Sequence, residues 1–184
     1  MIPFERLNFV LNNAIKEISI QAKTFVAFGA SGILAGEMKY RIFTKGQDSS
    51  NNSLGKYSTQ EAYFTKEQFS SKSKFKNKGK TKKPTKSTMY FGDGYEGLRK
   101  VQGKKVDNKN LNYTGELKNS FTNGKQGADA VVGFTNIEGS NKRRYAENSN
   151  KAAIFQPTKQ ELTIVNTYVI EELNSILINA FKNL

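Results

Sequence analysis

The chain has 184 residues, a size that fits one domain or one domain with a long insertion, and it carries 29 Lys+Arg against 16 Asp+Glu for a net charge of +13. It contains no Cys and no His, which excludes disulfides, thiolate or imidazole metal sites, and every Ser-His or Cys-His nucleophile. Such a balance points away from catalysis and toward polyanionic partners: nucleic acid, an anionic membrane or an acidic protein surface.

The first residues show no basic segment ahead of an apolar run, so no signal peptide is expected. Residues 4–23 read as an amphipathic helix, with Leu7, Val10, Leu11, Ala14, Ile15, Ile18 and Ala22 on one face. Residues 24–36 are small, apolar and glycine-rich, which suits either a continued helix or a connector where backbones approach closely. No stretch is expected to reach the ~18 apolar residues of a membrane span, because 25–38 is short and interrupted by Gly29, Gly32 and Gly36. Residues 39–44 alternate basic with apolar or aromatic side chains, a strand pattern. Residues 47–56 are polar and read as a loop.

The segment 66–86 holds nine lysines and the single acid Glu67, so it supplies +8 of the +13. With only Phe69 and Phe75 as large apolar residues, it is expected to be an arm that orders against a partner. Lys72, Lys74, Lys76, Lys78, Lys80, Lys82, Lys83 and Lys86 are its candidate DNA- or partner-contacting residues. Lysine exceeds arginine, which favours diffuse contact with phosphates over base reading. Nearby Tyr63, Phe64, Tyr90 and Phe91 offer stacking platforms for exposed bases.

Residues 95–102 suit a short helix, 114–121 a turn leading into a strand or helical turn, and 129–134 a strand. Asn123-Gly124 is a tight-turn signal, and 139–152 reads as a polar, basic connection. A final helix begins near Thr158, where Thr158 and Glu161 have capping-box spacing after Pro157. Its predicted apolar face is Leu162, Val165, Val169, Leu173, Ile176, Ala180 and Phe181. The expected class is α+β: an antiparallel sheet packed by amphipathic N- and C-terminal helices, with a long lysine-rich loop or arm.

Motifs that suggest catalysis or cofactors fail on context. Gly92-Asp93-Gly94-Tyr95-Glu96-Gly97 matches G-x-G-x-x-G but lacks a βαβ setting, and is read as a turn. Gly79-Lys80-Thr81 ends like a P-loop, yet Lys74 stands where that motif needs glycine. The acids are scattered through polar segments, with no pattern for a two-metal nuclease. No catalytic residue, cofactor or metal ligand is therefore expected.

The segment 95–121, YEGLRKVQGKKVDNKNLNYTGELKNSF, resembles the neck and tail-completion (virion-morphogenesis type) proteins of tailed bacteriophages. Arg99, Gly103, Tyr113, Thr114, Gly115, Leu117 and Phe121 carry the likeness, together with Leu98, Lys104, Asp107, Leu111 and Ser120. Val131-Val132-Gly133-Phe134, then Arg144-Tyr145-Ala146-Glu147 and Ile154-Phe155-Gln156-Pro157, follow in the family's order, and Arg41-Ile42-Phe43 is similar to its opening. The resemblance covers about two thirds of the chain and weakens over 47–90, which looks like an insertion in a single connector domain spanning 1–184. It implies a structural subunit that forms a homo-oligomeric ring at the head–tail junction of a virion assembled in the bacterial cytoplasm. Other neck, portal or tail proteins would be its partners, with non-specific contact to double-stranded DNA in the exit channel and no membrane. The competing reading from the same residues is a basic, non-sequence-specific nucleic-acid-binding protein.

Overall fold

The computed structural model describes residues 4–65, 88–112, 115–127 and 129–182. Its first feature is one unbroken helix, built from α1 (Phe4–Gln21), a π-helical turn (Ala22–Val26), α2 (Ala27–Tyr40) and a second π-helical turn (Arg41–Lys45). The glycine-rich segment thus continues the helix, and Gly29 lets Tyr168 of the last helix approach its backbone closely.

Residues 39–44 are helical, contrary to the strand expected there. Leu34, Met38 and Ile42 recur every four residues and point into the core, a longer-range signal than the short alternation. The expectation about membrane-length segments is also corrected. The 38-residue stretch Asn8–Lys45 is long and apolar enough to cross a membrane by length and composition, with mean hydropathy 1.3 and 24% of its apolar window buried. The three glycines that break the apolar run in the sequence do not break the helix.

Two antiparallel ribbons follow. Strand β1 (Ala62–Thr65) pairs with β2 (Thr88–Phe91), bringing together the two ends of the lysine-rich segment. Tyr63 packs at a tilt against Tyr90 across the ribbon, and Phe64 contacts Phe91 and Tyr95. These aromatics, read from sequence as platforms for bases, engage one another here. Strand β3 (Phe121–Gln126) pairs with β4 (Asp129–Phe134) from Phe121↔Phe134 to Gln126↔Asp129. Asn123-Gly124 lies within β3 and is not the hairpin turn. The Asn123 amide donates to Phe28 O and Ser31 Oγ on α2, while the turn falls after Gln126, at Gly127.

Between the ribbons, the Gly92-Asp93 turn leads into α3 (Gly94–Val101), and a one-turn helix α4 (Glu116–Ser120) precedes β3. The strand before the glycine motif is one arm of an antiparallel pair, so no βαβ unit surrounds it.

Residues 139–152, expected as a connection, fall mostly within the helix α5 (Ile137–Asn150). Asn136 caps it by accepting from Gly139 N at 2.6 Å. The ion pairs Glu138–Lys142 and Arg143–Glu147 support this polar helix at i,i+4 spacing. The final helix α6 (Lys159–Lys182) starts where expected. Thr158 N donates to Glu161 Oε2 at 2.7 Å and Glu161 N donates to Thr158 Oγ1 at 3.1 Å, completing the capping box.

The class is α+β, with helices at both termini and two small ribbons in place of one sheet. Helix α2 is the centre: β3 and β4 pack on it, and so does α6. Met38, Ile42, Phe43, Phe121, Ala146, Ile154 and Phe155 form the buried core. Phe121, Phe134 and Phe155 meet with ring centroids 5.1–5.6 Å apart, in the tilted and edge-on arrangements that aromatic rings prefer.

Candidate interaction surfaces

Arg99 of the family-like segment is, among the described residues, the most completely buried polar one, with 1% exposure. Its guanidinium donates to Lys105 O from Nε and one terminal nitrogen, to Asn112 O, and to Asn110 Oδ1. Its flat face lies 4.2 Å from the Tyr57 ring centre, and Tyr57 in turn donates to Asn110 Oδ1. A planar cation with five donors is the side chain best suited to gather scattered carbonyls around one point. Arg99 therefore holds the irregular backbone of 103–112 in place.

Gly103, with φ +68°, ends α3 in the left-handed conformation that a glycine adopts without strain. The turn brings Lys104 N to Arg99 O. Gly115, with φ +85°, occupies the position before α4 and accepts the Asn119 amide. Leu117 packs against the core and Phe121 lies inside it. These five residues are organisers of backbone and core. Tyr113 and Thr114 lie outside the described residues, as do Lys72, Lys74, Lys76, Lys78, Lys80, Lys82, Lys83 and Lys86 of the arm.

Sequence reasoning missed a second arginine centre. Arg41 and Glu161 form a buried ion pair at 2.7 Å. Arg41 also donates to Gln47 O, Ile154 O and Gln156 O. Glu161 serves both the cap of α6 and this pair, so the end of the long helix, the loop after it and the start of α6 share one polar knot. Each partner stood in a motif already noticed, but their 120-residue separation hid the pairing.

The terminal helices leave large apolar side chains exposed. Helix α6 packs one side, with Val165, Val169, Leu173, Ile176 and Ala180 half-buried, against α2 and α1. Its other sides expose Ile164, Ile170 (59%), Leu177 and Ile178. Leu162, assigned from sequence to the inward face, is also exposed. Helix α1 is similar: Val10, Leu11, Ala14 and Ile18 are half-buried, while Phe9 (67%), Ile15 and Ile20 are exposed. Both helices thus carry large apolar residues among polar ones outside the side they pack, where an amphipathic surface helix carries polar ones. No family model, curated protein or solved structure matches this chain.

Among the described residues, no group of three or more Asp or Glu side chains is arranged to hold a metal ion. An ionic cluster joins α4 to α5, where Lys142 bridges Glu116 and Glu138. The hydrogen bond and charge of Lys142 hold the Glu138 carboxyl below its usual range, and those carboxylates raise Lys142.

Proposed function

We propose that this protein is a structural subunit that assembles with copies of itself through the outer faces of α1 and α6, as a ring protein at the head–tail junction of a tailed bacteriophage. The observation that carries the assembly reading is α6: a 24-residue helix with large apolar residues on several sides, of which the described residues of the chain cover one. Phe9 and Ile20 point away from the half-buried face of α1, and Ile170, Leu177 and Ile178 away from that of α6. Two unlike patches on separate helices suit the head-to-tail contacts that close a ring, in which each subunit offers one surface and receives another. Placement at the phage neck, between portal and tail around the DNA exit channel, rests on the resemblance of 95–121. The organising role of Arg99 and the packing of Leu117 and Phe121 in and against the core agree with that resemblance's structural character.

The test is the native mass of the purified full-length protein in low and high salt, with and without duplex DNA, joined to electron microscopy of the same sample. A discrete, salt-resistant oligomer that images as rings is expected, because apolar contacts are little screened by ions. A monomer that binds DNA only at low salt would replace this reading with that of a basic nucleic-acid-binding protein. Flotation with lipid vesicles in place of oligomerisation would assign the apolar helices to a membrane.

A further inference from the structure

A second polar feature stands apart from the helix surfaces. A cavity of about 420 Å³ opens between the end of the long helix and the backbone that Arg99 organises. Thr44, Lys104, Lys105, Asn110, Asn112 and Lys118 contribute to its wall, with Arg99 behind them. Among the described residues no Asp or Glu lines it, and four of its lining residues are cationic, Arg99 among them. Lys105 and Lys118 take part in no ion pair among the described residues.

The local chain explains why these cations converge. The left-handed turn at Gly103 folds 104–105 back over the last turn of α3, and Arg99 pins Lys105 by its carbonyl. The same guanidinium fixes 110–112 through Asn112 O and Asn110 Oδ1. Asn110 Oδ1 also accepts from Tyr57 and from Asn112 N, so its amide orientation is set and its NH2 group remains as donor. Lys118 arrives from α4. Burial, and then the charge of Arg99, push Lys104 below the ordinary lysine value.

We infer that this cavity is an oxyanion site that takes a phosphate group, either a free phosphate or a phosphate of a nucleic-acid backbone. The donor set separates phosphate from the carboxylate of an acidic protein. Carboxylates are recognised best by the flat fork of an arginine, and here the one arginine already spends its donors on carbonyls. Lysines supplied by two separate segments, 104–105 and α4, with the oriented amide of Asn110 in the same wall, suit a rounder anion with oxygens on several sides. This site is independent of the ring reading and of the arm at 66–86, and survives the failure of either.

The test is a titration of the full-length protein followed by amide NMR, with inorganic phosphate in one arm and a 12-base-pair duplex of mixed sequence in the other. Saturable shifts at the amides of Lys104, Lys105 and Asn112 are expected, and site-resolved readout separates them from effects of the arm. Movement with phosphate alone assigns the cavity to small anions; movement with duplex at concentrations where phosphate is silent assigns it to backbone phosphates. Lys105→Ala/Lys118→Ala should weaken the response at least about tenfold, while Lys16→Ala/Lys39→Ala should leave it unchanged. Unchanged shifts at Phe155 and Glu161 would show that the double variant retains the fold. Silence of the cavity amides in both arms, or an undiminished response in the cavity variant, overturns the proposal.

Discussion

The two ends of the long helix live in different surroundings. At its C-terminal end, Met38, Arg41, Ile42 and Phe43 are buried against β3, the 154–156 segment and the start of α6. At its N-terminal end, no described side chain of α1 is fully buried, and its main neighbour beyond the helix itself is α6. One end is finished by its own chain; the other resembles half of an interface. A helix pair with this division keeps its fold at one end and offers contact surface at the other.

Substitutions sharpen that comparison when they act at the finished end. Arg41→Ala should cost about 3–5 kcal/mol, because it strands Glu161 in the interior and releases three carbonyls. Chemical denaturation of Arg41→Ala beside Arg41→Met/Glu161→Leu checks this, the paired variant recovering only the cost of the stranded carboxylate, because the three carbonyls stay without Arg41 and the Glu161 contact to Thr158 N is lost as well. Phe121→Ala should cost about 3–5 kcal/mol by opening the Phe121–Phe134–Phe155 cluster. A loss below about 1 kcal/mol for either would remove the distinction between the two ends. Thr158→Ala should cost about 0.5–2 kcal/mol through the cap of α6, read as a lower thermal midpoint.

The smallest effect is electrostatic and sits on α5. The folded state holds Glu138 below its unfolded value, so its contribution is present above the usual carboxylate range and fades as pH falls through the lowered folded value. Lys142→Ala should therefore lower the melting temperature slightly near pH 7 and leave it nearly unchanged in strong acid. A difference that persists undiminished in acid would show that Lys142 acts by packing.

The elements legible in the sequence were those whose signals are local. The capping box at Thr158 and Glu161, the short helix near Tyr95 and the strand at 129–134 each announce themselves within a few residues. The errors arose where a distant partner overrode a local pattern. Residues 39–44 alternate like a strand, but Arg41 is claimed by Glu161 and Ile42 by the core. Asn123-Gly124 has turn chemistry, yet its amide is taken up by α2 across the fold. Helix α5 lacks an apolar stripe and relies on Asn136 and two i,i+4 pairs. For the candidate surfaces, tracing one apolar face along each terminal helix concealed the second set, since Ile170, Leu177 and Ile178 were present but off that face. The organising role of Arg99 depends on carbonyls that only the folded 103–112 segment brings together.

The most direct measurement is the native mass of Ile170→Glu/Leu177→Glu beside the unmodified protein at matched concentration, with circular dichroism and thermal melts on both. Both positions are exposed in the single chain, so the fold should survive with a change in monomer stability of about 0.5 kcal/mol or less per site. The unmodified protein should run as a discrete oligomer and the variant as a folded monomer. An oligomer of unchanged mass in the variant would contradict assembly through the outer face of α6, and a monomeric unmodified protein would contradict self-assembly of the purified chain.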